Sequence, residues 1–474
     1  MNKSSAAACL ISFQNSQGQE TCATVVRLSR HSVAFEIYSP SFPLQISEVL
    51  DQVKIMAGDR PLYAGRAVVH QVVRTGSTGL CEAGLDDSWL DVEFLSPGSL
   101  AESLPAQFDR FVRDWQTEYK IASEYKLVIA DMQSFFIELR NWLEQVELGI
   151  RSAPGGDRLQ LEREVLDSLA PSVLPCIDAL FDRFEAVAGN LPRTEEPAHR
   201  TYMRRQLHPL ILCSPFAYRT YQKPLGYAGD FEMVNMMTRP PYEGGTLYAK
   251  MLNVWFLRQT PAQAHRNRID LLKTVIRDEA VRVWRVHRRP ARILNLGCGP
   301  ATEAQIFLSE DNGIPAPQIT LLDFNEETLQ HTRDVFHQLG ARLGKTLPIE
   351  FQKRSVHSIL KEAARSIELA PEKQFDLIYC AGLFDYLPDF VCQKLMTVLY
   401  SWLAPEAALV GTNVDPSNPI KKGMEHLLDW HLLYRTSHEA RTLKPAGAPD
   451  DTVSIVSDKT GVNLFMTVRK PRHE

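Results

Sequence analysis

One stretch of this 474-residue chain constrains its fold more than any other: Ile293-Leu294-Asn295-Leu296-Gly297-Cys298-Gly299-Pro300-Ala301-Thr302-Glu303. An apolar run passes directly into two glycines one residue apart and then into a helix start. Gly297 and Gly299 let backbone approach a ligand that a β-carbon would push away. From residue 291 onward apolar strands alternate with helical segments. Strands are expected at 292–296, 318–322, 349–352, 375–380 and 407–412, with helices such as 326–339 and 390–403 between them. Such alternation predicts a parallel sheet covered by helices on both faces. Two last strands, 452–456 and 462–468, flank a turn ending in Lys459-Thr460-Gly461 and read as an antiparallel hairpin at the sheet edge. Ligands of such sheets sit at the carboxyl ends of the strands, at the topological switch point.

Ahead of the sheet the chain changes character twice. Residues 1–100 carry short alternating apolar runs at 21–29, 33–38, 62–74 and 79–82, with turn signals about every ten residues, and predict a small all-β barrel or sandwich. Between 106 and 151 there is no Pro and a single Gly, Gly149, and apolar residues recur mostly every three or four positions. That predicts one long helix within a 101–157 linker. Two readings of it stand: a dimerisation seam, and a helix that only packs between its flanks. Residues 158–290 read as a mostly helical substrate or cap domain, with loops at 191–197, 207–215 and 221–230, and 291–474 as the sheet domain.

Composition narrows the class of function. Hydrophobic residues are 44% and charged residues 23%, as in ordinary globular chains. A formal charge of −5 offers no basic surplus for nucleic acid. No window holds the apolar run a spanning helix needs, and the stretch 6–13 is too short for a secretory core, so a soluble cytoplasmic protein is expected. Eight cysteines without a CxxC pair read as reduced thiols, and no metal site is expected.

The glycine turn is not a full GxGxxG, because Ala301 takes the third place. Asp323 ends the second strand, and a carboxylate there can accept hydrogen bonds from both ribose hydroxyls of a nucleoside. Its plain alternative is to cap the helix beginning near Glu326, a job Asn325 can also do. This layout resembles the class I S-adenosylmethionine-dependent methyltransferases. The resemblance implies a Rossmann-like methyltransferase sheet with S-adenosylmethionine as cofactor. It places Gly297, Cys298 and Gly299 on the glycine loop and Asp323, with Phe324 beside it, at the ribose. Ser355 and Val356 fall on the adenine edge, and Cys380, Ala381 and Gly382 on the strand-four loop that borders the methyl group. The terminal hairpin fits this family better than a nicotinamide-binding dehydrogenase. Asn295 stands where the family usually has an acid, so an ion pair to the methionine amino group is lost, with Glu303 as the substitute at hand.

A second resemblance rests on Lys223-Pro224-Leu225-Gly226-Tyr227-Ala228-Gly229-Asp230-Phe231-Glu232-Met233, Pro241-Tyr242-Glu243-Gly244, the glycine turn, and Leu427-Leu428-Asp429-Trp430-His431-Leu432-Leu433-Tyr434-Arg435-Thr436. These segments are similar to the bacterial 3-hydroxypalmitic acid methyl ester synthases, makers of a fatty ester quorum signal. The similarity covers about residues 160–474 and implies methyl transfer to a fatty acid carboxylate. A carboxylate is already ionised near pH 7 and needs no general base. Catalysis then comes from alignment and from excluding water. Tyr227, Arg435 and His426 are candidates for orienting the carboxylate, and Tyr386 for walling the transfer site. Each has a plain alternative: loop structure for Tyr227, an ion pair with an acid such as Asp429 for Arg435, helix surface or core for His426, core packing for Tyr386. Met233, Met236, Met237 and Met251 line either an acyl pocket or ordinary core. Arg282, Arg285, Arg288, Arg289 and Arg292 form either a solvated helix end or a dock for an acidic acyl carrier protein.

Arg27-Leu28-Ser29-Arg30-His31-Ser32-Val33-Ala34-Phe35 resembles the PilZ domain, a small β-barrel that often binds cyclic di-GMP. Ser29 survives from that family's strand motif, but Arg27 and Ser32 replace its Asp/Asn and Gly, and no RxxxR arm precedes them. The expectation is a degenerate PilZ-like module used for protein contacts or dimerisation. Two rival functions stand beside the fatty ester reading: methyl transfer to another carboxylate or hydroxyl, and a non-catalytic nucleotide-binding sensor.

Overall fold

The computed structural model describes residues 9–38, 44–58, 60–75, 78–86, 108–109, 112–113, 120–152, 157–310, 313–363 and 369–472. Six antiparallel strands close into a barrel: β1 (Cys9–Gln14), β2 (Glu20–Leu28), β3 (Ser32–Ile37), β4 (Val49–Ala57), β5 (Arg60–Thr75) and β6 (Thr78–Leu85), in the order β1-β2-β3-β6-β5-β4 with β4 returning to β1. Closure removes the exposed edges a flat sheet would have. Alternate side chains point inward, and Ile11, Phe13, Val33, Phe35, Ile55 and Val69 fill the interior. Apolar alternation predicts four of these strands and misses β1 and β4. The first coincides with the short apolar stretch near the start. In the second the pairing register shifts between Leu50 and Val53, where Gln52 has a φ of +51°, so the period of two is broken.

From residue 123 to 287 the described residues form seven helices: α1 (Ser123–Ser152), α2 (Arg158–Gly189), α3 (Glu196–Ile211), α4 (Pro215–Gln222), α5 (Phe231–Thr238), α6 (Leu247–Arg258) and α7 (Thr260–His287). On α1, Tyr125, Val128, Ile129, Met132, Phe136, Leu139 and Leu143 make one buried stripe that packs against α2 and α3. The expected single helix from 106 is corrected at its start. Residues 108–109 and 112–113 are helical, but 120–122 are not, so the expected single run is broken before α1 begins at Ser123; the rest of 106–119 lies outside the described residues.

The remaining elements alternate as expected: β7 (Arg292–Leu296), α8 (Thr302–Ser309), β8 (Gln318–Asp323), α9 (Glu326–Leu343), β9 (Ile349–Lys353), α10 (Val356–Ala363), β10 (Phe375–Cys380), α11 (Asp389–Ser401), β11 (Leu403–Val414), α12 (Lys421–Leu427), α13 (Ser437–Thr442), β12 (Val453–Ser457) and β13 (Asn463–Arg469). The strands form one sheet in the order β12-β13-β11-β10-β7-β8-β9. β7 to β11 are parallel, and β13 runs antiparallel to both β11 and β12. The fold is α/β: a Rossmann-like sheet with an antiparallel C-terminal hairpin, preceded by helices and an N-terminal barrel. Successive residues serve opposite faces. Leu294, Leu296 and Ile378 pack with Leu395 and Leu399 of α11, while Ile293, Leu321 and Leu377 pack with Ile276 of α7 and Phe336 of α9. The strand order reverses about β7, so its carboxyl end is the switch point where a crevice opens.

By internal contacts the chain forms two compact units. The first comprises Met1–Ala228, Pro240–Phe256 and Pro419–His431, and so holds the barrel, α1 to α4, most of α6, and α12. The second comprises Gly229–Arg239, Leu257–Asn418 and Leu432–Glu474, and so holds α5, α7 and the whole sheet. The chain passes from one unit to the other five times. Among the described residues, no helix is long and apolar enough to cross a membrane.

Candidate active site

In the second unit, β7 ends at Leu296 and the chain turns over β8. The amides of Gly297 and Cys298 donate to the Leu322 carbonyl at 2.8 and 3.0 Å. Gly297 and Gly299 have φ of +66° and +51°, where side chains are strained. Nothing lies within 4 Å of where a Gly299 β-carbon would stand, so this turn presents bare backbone. Ala301 is also left-handed, at φ +50°, and buries its methyl in the core just before α8. Thr332 Oγ1 of α9 donates to the Gly299 carbonyl at 2.8 Å and pins the turn from behind.

Asp323 closes β8 and is 6% exposed. Its Oδ2 accepts the Gly299 amide at 3.2 Å, and its Oδ1 accepts the Asn325 amide at 3.0 Å. Burial pushes its pKa up to about 6, against the pull of these backbone donors. The cap of α9 is Asn325, whose Oδ1 accepts from Thr328 N at 2.9 Å. The capping role thus falls to Asn325.

A third group lies deeper. Asn295 Nδ2 and the Tyr379 hydroxyl both donate to Glu303 Oε1, at 3.2 and 2.8 Å. Burial raises the Glu303 carboxyl above its ordinary range. Asn295 Oδ1 is buried with no hydrogen-bond partner. From α7, the Arg268 guanidinium reaches the strand-four loop: a β-carbon on Gly382 would stand 2.8 Å from its Nη1. It feels the carboxylates of Asp385 and Glu303 but makes no ion pair among the described residues. Its hydrogen bond is from Nη2 to His265 Nδ1, at 2.6 Å, and His265 Nε2 has no partner. Desolvation holds Arg268 below the usual guanidinium range. Arg268, His265 and Tyr379 carry no local sequence mark; only packing brings them here.

The other expected cofactor residues occupy the same edge of the sheet. Cys380 is buried at the end of β10, and Gly382, with φ +80°, donates its amide to Thr412 Oγ1 at 2.9 Å. Phe324 follows Asp323 after β8. Ser355 follows β9 and accepts the Ser358 amide at 3.1 Å, and Val356 opens α10 and packs on the core.

The four acceptor candidates part company. Tyr386 lies in the single helical turn Phe384–Tyr386, its hydroxyl 2.9 Å from where a Gly229 β-carbon would be. Arg435 is 3% exposed and all its N–H groups are occupied: Nε and Nη2 donate to Asp389 Oδ1 (2.9 and 2.7 Å), Nη1 to the Phe384 carbonyl (2.7 Å) and Asn413 Oδ1 (2.5 Å), Nη2 to the Leu387 carbonyl (2.6 Å). No donor is left for a substrate carboxylate. Its acid is Asp389, a correction to the expected Asp429, whose guanidinium partner is Arg204 at 2.7 Å. Tyr227 and His426 belong to the first unit. His426 is wholly buried, with Nδ1 3.0 Å from the Tyr125 hydroxyl and Nε2 without a partner, and desolvation keeps it neutral. Tyr227 is half-buried, two residues before Gly229. Met233, Met236 and Met237 are buried in the second unit and Met251 in the first. Of the basic cluster, Arg282 pairs with Glu279 at 2.7 Å and Arg289 grips Asp376 at 2.7 and 2.8 Å.

No curated protein matches this sequence. Among solved structures, a possible exported protein from Bordetella parapertussis is similar at 18% identity and a TM-score of 0.40, covering 64% of this chain and 97% of its own. A magnesium protoporphyrin IX methyltransferase from Synechocystis with bound SAH is similar at 10% identity and a TM-score of 0.32, covering 57% and 99%. An N-methyltransferase from Bradyrhizobium japonicum in complex with S-adenosyl-L-homocysteine is similar at 14% identity and a TM-score of 0.30, covering 54% and 100%. A family model described as a methyltransferase domain matches residues 264–445. That span includes Arg268, the glycine turn, Asp323 and the end of β10, and over it this chain carries a methyltransferase domain.

Proposed function

We propose that this protein transfers a methyl group from S-adenosylmethionine to the carboxylate of a fatty acid, a 3-hydroxy fatty acid foremost, giving a methyl ester. The reading rests on one observation: buried polar groups at the switch point are left incomplete in a way that fits an amino acid joined to a nucleoside. Asn295 Oδ1 has no donor, Glu303 is a desolvated carboxylate, and Arg268 has no carboxylate. An ammonium completes the first two, and a carboxylate completes the third. Asp323, free of the capping role, would hold the ribose hydroxyls, and the bare turn at Gly297 and Gly299 admits the ligand's backbone-close approach. Phe324, Ser355 and Val356 would border the base, and Cys298, Cys380 and Gly382 the methionine end.

When bound, S-adenosylmethionine supplies a methyl group activated by its sulfonium. The residues of this chain then bind, align and exclude water. Arg435 fixes the Phe384–Tyr386 turn by its carbonyls and leaves Tyr386 as the wall of the transfer site. The fatty nature of the acceptor is supported by the likeness of 223–233, 241–244 and 427–436 to the ester synthases, and by the methionines packed on α5.

Titration calorimetry with S-adenosylmethionine, on the whole protein and on Arg268→Gln, tests the donor. Mass spectrometry of lipid extracts from cells with and without the protein, fed labelled methionine, tests the acceptor. Absence of donor binding ends the reading; binding without any labelled fatty ester ends its acceptor half.

A further inference from the structure

Two of the segments singled out in the sequence, 223–233 and 427–436, are not accounted for by the cofactor crevice. Each crosses from the first unit to the second, at Ala228–Gly229 and at His431–Leu432. On the first-unit side both are gripped by the barrel. Ser47 Oγ donates to the His431 carbonyl at 2.9 Å and accepts the His431 amide at 2.6 Å. Asp429 Oδ1 accepts from His70 Nε2 of β5 at 3.0 Å, from His431 Nε2 at 3.1 Å and from Arg204 at 2.7 Å. The Val49 amide donates to the Gly226 carbonyl at 2.8 Å, and Arg66 to the Gln222 carbonyl at 2.5 Å. Lys223 Nζ reaches the Leu428 carbonyl at 3.3 Å and so ties one segment to the other.

Backbone strain gathers at the same place. Ser47, Lys223 and Asp429 have φ of +59°, +48° and +53°, three of the seven non-glycine residues with positive φ among those described. Strained conformations persist only where the surroundings over-determine them. The ligand atoms of His70, Asp429 and His431 lie within 4.8 Å of one another, which would suit a metal ion. However, Arg204 already sits on the shared oxygen, and Arg200 and Lys223 add positive charge around Asp429. The place of a cation is taken, and the cluster holds chain.

On the second-unit side both segments meet one structure within a few residues. A Gly229 β-carbon would stand 2.9 Å from the Tyr386 hydroxyl. The Leu433 amide donates to the Asp385 carbonyl at 2.7 Å, and Arg435 donates to the carbonyls of Phe384 and Leu387. Phe384–Tyr386 is the turn that follows strand β10, four residues beyond its end. We infer that the barrel is a positioning module: Ser47 and His70 clamp two covalent tethers that set the Phe384–Tyr386 turn, and so act on the acceptor side of the crevice through the chain itself. This builds on the proposed reaction, but its first test does not need that reaction.

The test is hydrogen exchange on the full chain, comparing Asp429→Asn, Ser47→Gly and His70→Ala. Asn and Gly both tolerate a left-handed backbone, so Ser47→Gly removes its two clamp bonds, and Asp429→Asn strips the charge that strengthens the bonds to Oδ1, without adding strain. Exchange at 384–387 and 432–435 should rise about tenfold or more, the scale of losing roughly one hydrogen bond's contribution, while 297–299 keeps its rate. Faster exchange at 47–49 and 429–431 with 384–387 unchanged overturns the inference. If one variant does not fold, the other two decide. As a second readout, the same variants should raise the acceptor KM or lower kcat with donor affinity unaltered. His70→Gln, which can still donate to Asp429, should recover more of both than His70→Ala. Equal behaviour of Gln and Ala in exchange and in kinetics also overturns it.

Discussion

Asp323 ties the ribose assignment to a measurable titration. Folded, its pKa is about 6; in an unfolded chain a carboxyl of this kind ionises near 4, so the folded form binds more protons between those values. Asp385, buried and also raised to about 6, acts in the same direction. Their contribution to the stability of the ligand-free protein therefore falls as pH rises from about 4 to about 6, while six histidines that burial holds below their ordinary range contribute the other way; the difference between melts of the protein and of Asp323→Asn across that window isolates the Asp323 part and will show or refute its sign. Donor binding needs the ionised carboxylate, so affinity should fall about tenfold per unit below pH 6, and Asp323→Asn should flatten that profile in calorimetry. Asp323→Ala should weaken binding by at least about 1.5 kcal/mol. This acid was legible in the sequence because it ends an apolar strand at a fixed place after a glycine turn. Arg268 and Tyr379 were not legible, since one is an arginine in an ordinary helical repeat and the other a tyrosine inside an apolar strand. Arg435 and Asp429 were visible as charges, but which acid each guanidinium meets depends on long-range packing.

At the scale of elements, the turn after β10 is the sensitive part. Gly382 has φ +80° and faces Arg268, so Gly382→Ala carries both backbone strain and a clash. It should lower stability by about 1–2 kcal/mol and weaken donor binding, as thermal melts and calorimetry would record. Arg435→Leu removes the guanidinium donors from the neighbouring turn, leaving Asn413 Oδ1 without one and the Phe384 and Leu387 carbonyls with only the Leu387 amide and the Cys392 thiol. A loss of about 1–3 kcal/mol in denaturant unfolding is expected, out of proportion to any change in donor affinity. The parallel strands were readable because short apolar runs bounded by turn residues have few other folds open to them. The barrel strand β4 was not, because its bulge at Gln52 breaks the alternation on which such a reading depends. The helical periodicity before α1 continued past a real break at 120–122, because a stripe of apolar residues does not record where backbone hydrogen bonds stop.

For the whole molecule, S-adenosylmethionine at a hundred times its Kd should add about 2.7 kcal/mol of stability. Exchange protection should appear first in the second unit, around 295–303, 321–325 and 380–384. The division into units was beyond the sequence, because contacts between residues hundreds of positions apart leave no local trace. Five passages of one chain make a weave, and a weave cannot be unpicked at a single point. Excising 291–474 would discard α7, whose apolar face covers one side of β7, and would carry 419–431 away from the helices it packs with. A laboratory chimera that exchanges the first unit must therefore carry 240–256 and 419–431 along with 1–228, three grafts in place of one fusion point.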